Sequence, residues 1–123
     1  MNEQLVLCAD DDEDILSLVS MQLRRAGFDV ATAVDGDEAV RIAQERRPAI
    51  AVLDVMMPKL TGYEVLAALR SNGYLVEMKV ILLSARADES DVSSGMDAGA
   101  DAYLPKPFKA RELVTKVREL LGN

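Results

Sequence analysis

Four short apolar runs in the chain each end next to a polar or charged side chain that could do chemistry. The first run leads into Asp10 and Asp11, and the second leads into Asp54. The third ends at Ser84, and the fourth reaches Lys106 across one proline. If the runs are parallel strands of one sheet, these side chains all emerge at its carboxyl edge, where open α/β sheets build their sites. The spacing therefore predicts one pocket rather than four separate features.

The residue types in this predicted pocket indicate a cation and a phosphate. Three crowded carboxylates repel one another and stay ionised only when a cation joins them, and hard oxygen ligands suit Mg²⁺ or Ca²⁺. Mg²⁺ is favoured because, with few protein ligands, it keeps positions open for water and for a phosphate group. A lysine and a hydroxyl nearby would complete the neutralisation of a phosphoryl group. The pocket is therefore predicted to hold phosphate on a carboxylate.

Segments with helical periodicity lie between the apolar runs. Asp35 with Glu38, and Thr61 with Glu64, have the spacing of capping boxes that open helices. A further helix is predicted from Asp88 to Gly99. Such alternation with short connections predicts five β-α units that form a parallel sheet covered by helices on both faces.

The apolar runs differ in a way that predicts their place in the sheet. Residues 49–53 and 80–83 are apolar throughout, as central parallel strands are. The run from 28 to 33 includes Asp29 and Thr32, so it is predicted to be an edge strand.

Length and composition restrict the class of protein. The 123 residues fit a single domain over 1–123, and the net charge of -7 argues against direct nucleic-acid binding by it. No apolar run approaches a membrane span and the start lacks a signal-peptide pattern, so a cytoplasmic location is expected. Cys8 lies inside the first run and is interpreted as a small buried hydrophobe. Histidine is absent, so any histidine in the mechanism must come from a partner.

Four longer stretches together resemble the receiver domains of two-component response regulators. They are LVLCADDDEDIL at the start, IAVLDVMMPKLTGYEVL in the middle, VILLSARAD after it and AGADAYLPKPF near the end. One alone would be a weak signal, but all four in this order and at these separations are highly specific. The resemblance covers essentially the whole chain. It implies a flavodoxin-like doubly wound (βα)5 fold, a three-layer α/β sandwich with strand order 2-1-3-4-5.

The resemblance also implies roles for the acidic residues. Asp54 is the expected phosphoacceptor, which attacks a phosphohistidine on a sensor histidine kinase or phosphotransfer protein, or a small phosphodonor. Asp11 is similar to the direct Mg²⁺ ligand of the family, and Asp10 to the residue that holds the ion mostly through water. Met56 would contribute its backbone carbonyl. The acidic residues after Asp11 are interpreted as a solvated start of the first helix.

Further residues are implied to bind the phosphoryl group or respond to it. Ser84 is expected to hydrogen-bond the phosphoryl group and Lys106 to pair with another of its oxygens, with a cis bond between Lys106 and Pro107. Ser84 and Tyr103 are the expected switch residues, which move when phosphate arrives. Met56 and Arg86 occupy the two positions that tune phosphate lifetime. Neither offers a carboxylate or amide to orient water, so a long lifetime is expected.

The expected output surface comprises the helix predicted over 88–99, the last strand and the last helix. It would act on a downstream effector domain or target protein. Its charges partly match those through which transcription-factor receivers dimerise, namely Asp97, Asp101, Arg111, Glu112, Lys116 and Arg118. Ala102 and Val92 depart from that set, and exposed ion pairs contribute little singly. A monomer, or a weak dimer on phosphorylation, is therefore expected.

Other function classes fit less well. A haloacid-dehalogenase-type phosphatase needs a second aspartate where Met56 stands, and a flavin or nucleotide site needs glycines where the chain has DDDED. A pseudo-receiver that signals without phosphorylation is the remaining alternative, disfavoured because all five pocket positions are filled. The chain is expected to be a switch rather than an enzyme, limited to its own phosphorylation and slow dephosphorylation.

Overall fold

Five strands form one parallel sheet in the computed structural model, which describes residues 2–71, 77–85, 96 and 99–122. They are β1 (Asn2–Ala9), β2 (Asp29–Ala33), β3 (Pro48–Asp54), β4 (Lys79–Ser84) and β5 (Ala102–Pro105). Their order across the sheet is β2-β1-β3-β4-β5, and every neighbouring pair is parallel. The predicted order 2-1-3-4-5 is confirmed, and β2 lies at an edge as its polar residues indicate.

Helices cover both faces of this sheet. They are α1 (Glu13–Arg25), α2 (Gly36–Arg46), α3 (Gly62–Arg70) and the C-terminal helix (Ala110–Leu121). Helix α1 and the C-terminal helix share one apolar core with the sheet, and α2 and α3 share the other. The three-layer doubly wound fold is therefore confirmed. Within the described part of the chain, no helix is both long enough and apolar enough to cross a membrane.

Some predictions concern residues that the structure does not describe. The helix predicted from Asp88 to Gly99 lies outside the described residues apart from Met96 and Gly99. Arg86, Val92 and Asp97 also lie outside them. The lifetime role of Arg86 and the predicted output surface around that helix therefore stay predictions.

The central strand β3 contributes to both cores, which fixes the position of its carboxyl end. Ala51 and Leu53 are buried on the face that α2 and α3 cover. Ile50 and Val52 are buried on the opposite face, against α1 and the C-terminal helix. Because successive side chains of a strand point to opposite faces, a strand that is apolar throughout must be buried on both. Asp54 therefore ends a strand that is held from both sides.

The helix starts follow the side-chain patterns in the sequence. Asp12 caps α1 by accepting hydrogen bonds from the amides of the second and third residues after it, and it is exposed. Thr61 accepts the Glu64 amide at 3.2 Å, and Glu64 accepts the Thr61 amide at 3.0 Å. Asp35 accepts the Glu38 amide at 2.8 Å. These bonds satisfy amides that a helix start leaves without partners, so α1, α2 and α3 begin where predicted.

Arg70, in the last turn of α3, connects that helix to the amino ends of β4 and β5. Its guanidinium donates to the carbonyl of Met78 at 2.6 Å and to that of Gly99 at 2.7 Å. It also pairs with Asp101 at 3.2 Å, and Asp101 in turn accepts the Val80 amide at 2.8 Å. Asp101 belongs to the predicted dimer set, and in this structure its carboxylate is bound within the chain.

Candidate functional site

The carboxyl edge of the sheet brings together the polar residues that end the strands. Asp10 directly follows β1, Asp54 is the last residue of β3, and Ser84 is the last residue of β4. In the register of β4 and β5, Ser84 lies opposite Pro105, and Lys106 follows. Asp10, Asp54 and Ser84 are each at most 4% exposed. The fold therefore places buried polar groups where parallel strands end, which is where such sheets bind ligands.

Three carboxylates form a cluster that could hold a metal ion. One oxygen from each of Asp10, Asp11 and Asp54 lies within 4.8 Å of the other two. Asp10 and Asp54 are buried, whereas Asp11 is exposed, so the cluster has a side open to solvent. The donors are hard oxygen atoms, few in number and open on one side, which fits Mg²⁺ because this ion keeps several waters.

Asp10 is held in one orientation by its neighbours. Its backbone amide donates to the carbonyl of Ala33 at 3.1 Å. Its Oδ1 accepts a hydrogen bond from the amide of Asp12 at 2.9 Å, and its Oδ2 accepts one from Nζ of Lys106 at 2.9 Å. Each oxygen thus has a specific partner, so the carboxylate is positioned before any ligand arrives.

The Lys106 ammonium group lies between two of the carboxylates. Its Nζ is 2.9 Å from Oδ2 of Asp10 and 3.3 Å from Oδ2 of Asp54. Burial alone would lower the pKa of Lys106, but the hydrogen bond to Asp10 and the two negative charges raise it above its ordinary value. Lys106 is therefore a permanent cation at neutral pH, in contact with the predicted phosphoacceptor.

The pKa of the Asp54 carboxyl group lies above its ordinary value. Burial first, and the charge of Asp10 second, raise the pKa of Asp54 from 3.8 to about 6. Lys106 and the amide of Met56, which donates to Oδ1 of Asp54 at 3.3 Å, act in the opposite direction. Added positive charge would stabilise the ionised form of this carboxylate, which is a further reason to expect a cation here.

The other predicted residues occupy defined positions around the cluster. Tyr103 lies opposite Leu82 in the sheet and packs, partly buried, against the core under α2 and α3. The side chain of Met56 is 69% exposed, although its neighbour Met57 is buried. The peptide bond between Lys106 and Pro107 is cis, as the resemblance implies.

Gly62 is a site residue that the sequence analysis did not single out. It is the first residue of α3, and its amide donates to the carbonyl of Val55 at 3.0 Å. A Cβ atom at this position would lie 2.6 Å from the carbonyl oxygen of Asp54. The only sequence signal is a glycine directly after the capping residue Thr61, and that signal does not identify the strand it approaches.

The Gly62→Ala variant should be less stable than the wild type by about 1 to 3 kcal/mol because the added methyl group meets backbone that cannot rotate away. Helix propensity alone predicts the opposite sign, a gain of up to about 1 kcal/mol. Urea unfolding measures the difference, with the reverse change Ala67→Gly, on the exposed side of α3, as the control for propensity. A Gly62→Ala protein as stable as the wild type would show that α3 can move away from the Asp54 carbonyl without loss of stability.

Comparisons with known proteins identify the family that the chain matches. The family model described as "Response regulator receiver domain" matches residues 6–118. The transcriptional regulatory protein PrrA of Mycobacterium tuberculosis is 50% identical over 116 residues, which are 94% of this chain and 49% of that protein. The alkaline phosphatase synthesis transcriptional regulatory protein PhoP of Bacillus subtilis is 41% identical over 121 residues, or 98% of this chain and 49% of that protein.

A solved structure gives the same result for the whole chain. The receiver domain of the Francisella response regulator 1452 matches with a TM-score of 0.92 at 34% identity, and the match covers 97% of each chain. The chain spans about half the length of the curated relatives it matches. The family match, the sheet order and the cluster at the sheet edge agree with one another. The chain therefore belongs to the response regulator receiver domains of two-component signal transduction.

Proposed function

We propose that the chain is a phosphorylation-controlled switch in which Asp54 accepts a phosphoryl group in a Mg²⁺-dependent reaction. One observation carries the proposal: the buried Asp54 carboxylate lies 3.3 Å from the Lys106 ammonium and within 4.8 Å of both other carboxylates. This combination of nucleophile, cation and open acidic cluster is what phosphoryl transfer requires, because such transfer depends mainly on positioning and charge neutralisation.

The reaction proposed for the site is a direct transfer. An oxygen of Asp54 attacks the phosphorus atom, the bond between phosphorus and the donor breaks, and the donor nitrogen or oxygen leaves with the electron pair. Lys106 pairs with one phosphoryl oxygen, and the hydroxyl of Ser84 donates a hydrogen bond to another. Asp10, Asp11, Asp54 and the Met56 carbonyl would hold Mg²⁺, which supplies neutralisation of the phosphoryl charge when bound. The switch chemistry is thus self-phosphorylation and slow dephosphorylation, without turnover of a metabolite.

The phosphodonor proposed for the site is a histidine kinase or a phosphotransfer protein. The chain contains no histidine, so the phosphohistidine must belong to the partner. An open apolar groove of about 340 Å³ begins at Lys106, and its walls are Ile15, Leu18, Val19, Ala85, Pro107 and Phe108. Leu18 in α1 is 49% exposed. An apolar groove beside the nucleophile suits a helix that carries the phosphohistidine, because docking there would bring the phosphorus to Asp54.

The output of the switch is proposed to be transcriptional. The relatives that the chain matches are transcriptional regulators and are about twice its length, so an effector domain or a separate target would read the switch. The reading surface would include β5 and the C-terminal helix, between which a groove of about 430 Å³ is lined by charged residues. Ser84 and Tyr103 would transmit the change, since Ser84 ends β4 at the site and Tyr103 lies in the neighbouring strand β5. The expected cytoplasmic location and the monomer or weak dimer stay predictions.

The test of the proposed function is the intact mass of the protein after incubation with a small phosphodonor such as acetyl phosphate. We expect one phosphoryl group per chain with Mg²⁺ and none when Mg²⁺ is chelated. Asp54→Asn should remove the adduct, because the amide is not a nucleophile for this reaction. The matched control is Asp37→Asn, which makes the same chemical change at an exposed residue in the first turn of α2.

The opposite result would change the function assigned to the chain. A folded sample that binds Mg²⁺ yet takes phosphate neither from acetyl phosphate nor from a phosphorylated histidine phosphotransfer protein would favour a pseudo-receiver. An adduct that persists in Asp54→Asn would place the phosphoacceptor elsewhere.

A further inference from the structure

An exposed thioether stands at the rim of the Asp54 site. The side chain of Met56 is the most exposed among the large apolar side chains of the described residues, at 69%. Its backbone is fixed to the nucleophile, since the Met56 amide donates to Oδ1 of Asp54 at 3.3 Å. Burial of apolar surface cannot explain a methionine at this position, because most of its side chain is in water. The side chain is therefore accessible to small reagents, and the backbone that carries it is anchored beside the Asp54 carboxylate.

We propose that Met56 is a site of reversible oxidation by a peroxide, and that its sulfoxide shortens the lifetime of the phosphoryl group on Asp54. This inference rests on the proposed function of Asp54. In the oxidation step one peroxide oxygen is transferred to the Met56 sulfur, the O–O bond breaks, and water is released from hydrogen peroxide. The sulfur is oxidised by two electrons and the peroxide is reduced by two. A methionine sulfoxide reductase restores the thioether.

Peroxide should reach Met56 before the sulfur atoms inside the fold. Oxidation of methionine follows exposure, and Met57 and Met78 are both buried. Cys8 is also buried, and burial raises the pKa of its thiol to about 12, so its reactive thiolate is scarce at neutral pH. Met21 in α1 is 41% exposed and lines a groove against β2, and Met96 is 43% exposed, so both offer further reactive sulfur atoms for comparison.

The sulfoxide changes the chemistry of the rim. A thioether is a weak hydrogen-bond acceptor, whereas the S=O oxygen is a strong one, and oxidation makes the side chain polar. Hydrolysis of an aspartyl phosphate requires a water molecule placed in line with the bond that breaks. The sulfoxide oxygen of Met56 can bind that water, whereas the unmodified thioether side chain cannot. One hydrogen bond to the attacking water is worth about a factor of two to ten in rate.

The experiment compares the same protein before and after treatment with dilute hydrogen peroxide. Peptide mass mapping measures the oxidation rate of each methionine without any phosphorylation. The half-life of the phosphorylated protein is then measured after removal of the donor. We expect Met56 to oxidise faster than Met57 and Met78, and the half-life to fall about twofold to tenfold. Treatment with methionine sulfoxide reductases A and B together should restore the original half-life.

Variants separate Met56 from the other sulfur atoms. In Met56→Leu, peroxide should leave the half-life of that variant unchanged, because leucine cannot be oxidised. Met56→Gln, which carries a permanent acceptor oxygen of similar reach, should have a short half-life without peroxide. Met21→Leu should respond to peroxide as the wild type does, since Met21 lines a groove between α1 and β2 and is not among the residues of the Asp54 site.

Each contrary outcome has a distinct meaning. A wild-type protein that is phosphorylated and oxidised at Met56 but keeps its half-life overturns this inference and leaves the proposed function standing. Oxidation of Met56 no faster than that of Met57 also overturns it. If the untreated protein takes no phosphoryl group at all, the proposed function fails, and the regulation inferred here fails with it.

Discussion

Replacing Lys106 by methionine is expected to slow phosphorylation of Asp54 by about 100-fold or more. Methionine keeps an unbranched apolar stem of similar length and removes only the positive charge and its hydrogen bonds. The Lys106 ammonium lies 3.3 Å from Asp54, where the charge of an arriving phosphoryl group must be neutralised. Loss of a charge aimed at the transferred group raises the barrier more than it weakens the binding of the donor.

The same variant should bind Mg²⁺ more tightly than the wild type, by about tenfold at low ionic strength. The wild-type ammonium is 2.9 Å from Asp10 and 3.3 Å from Asp54, so it repels any metal ion that enters the carboxylate cluster. Without it, no other cation among the described residues forms an ion pair with Asp10 or Asp54. We therefore expect Lys106→Met to be about 1 to 3 kcal/mol less stable without metal and to recover on addition of Mg²⁺.

Two measurements check this pair of opposite effects. Initial rates of phosphorylation come from intact mass, and Mg²⁺ affinity from calorimetry at fixed pH and salt. The control is Lys116→Met, which removes a lysine from an exposed pair with Glu119 on the C-terminal helix and should change neither quantity. A Lys106→Met protein that binds Mg²⁺ more weakly than the wild type would show that the ammonium supports the metal site instead of competing with it.

The sequence predicted that the polar residues of the site would lie together, because a parallel sheet determines where its strands end. Apolar runs of strand length each end at a polar residue, and a parallel sheet collects those ends at one edge. That rule alone brings Asp10, Asp54, Ser84 and Lys106 together. Helix starts were predictable for a similar reason, because side chains such as Asp12 and Thr61 satisfy amides only a few residues away.

Features that depend on distant parts of the chain were not predictable in the same way. The hydrogen bonds from Arg70 to Gly99 and Asp101 join residues 29 and 31 positions apart, and no local sequence pattern predicts them. The approach of Gly62 to the Asp54 carbonyl depends on how α3 leaves β3 in three dimensions. The raised pKa of Asp54 likewise requires both its burial and its distance from Asp10. Sequence spacing gives the residue types of a site, whereas tertiary packing decides their energies.

Asp54→Asn should raise the free energy of unfolding at pH 7.5 without divalent metal, although it is also expected to abolish phosphorylation. Burial and the charge of Asp10 raise the pKa of Asp54 to about 6, so the ionised side chain opposes folding at neutral pH. Asparagine has similar volume and no charge, and Lys106 keeps its partner Asp10 at 2.9 Å. We expect a gain of about 1 to 3 kcal/mol, which is a rise in melting temperature of several degrees.

The direction of the pH dependence follows from the two pKa values. In the unfolded chain the Asp54 carboxyl has its ordinary pKa of 3.8, and in the folded protein the pKa is about 6. Between these values the folded state binds more protons, so the contribution of Asp54 to stability improves as the pH falls. Above about pH 6 the penalty is complete, and below about pH 4 it has gone. The advantage of Asp54→Asn should therefore be largest at pH 7.5 and absent near pH 4.

Urea unfolding of the two proteins at pH 7.5, 6, 5 and 4 measures this difference directly. Mg²⁺ at pH 7.5 should reduce it as well, because an ion bound to the folded wild type through Asp54, as proposed, would add stability there. The control Asp37→Asn removes an acid that favours the start of α2, so it should lower stability slightly at neutral pH. If Asp54→Asn is less stable than the wild type at pH 7.5 without metal, the hydrogen bonds of the carboxylate outweigh its burial. In that case the ionised Asp54 carboxylate would stabilise the fold, contrary to the raised pKa described above.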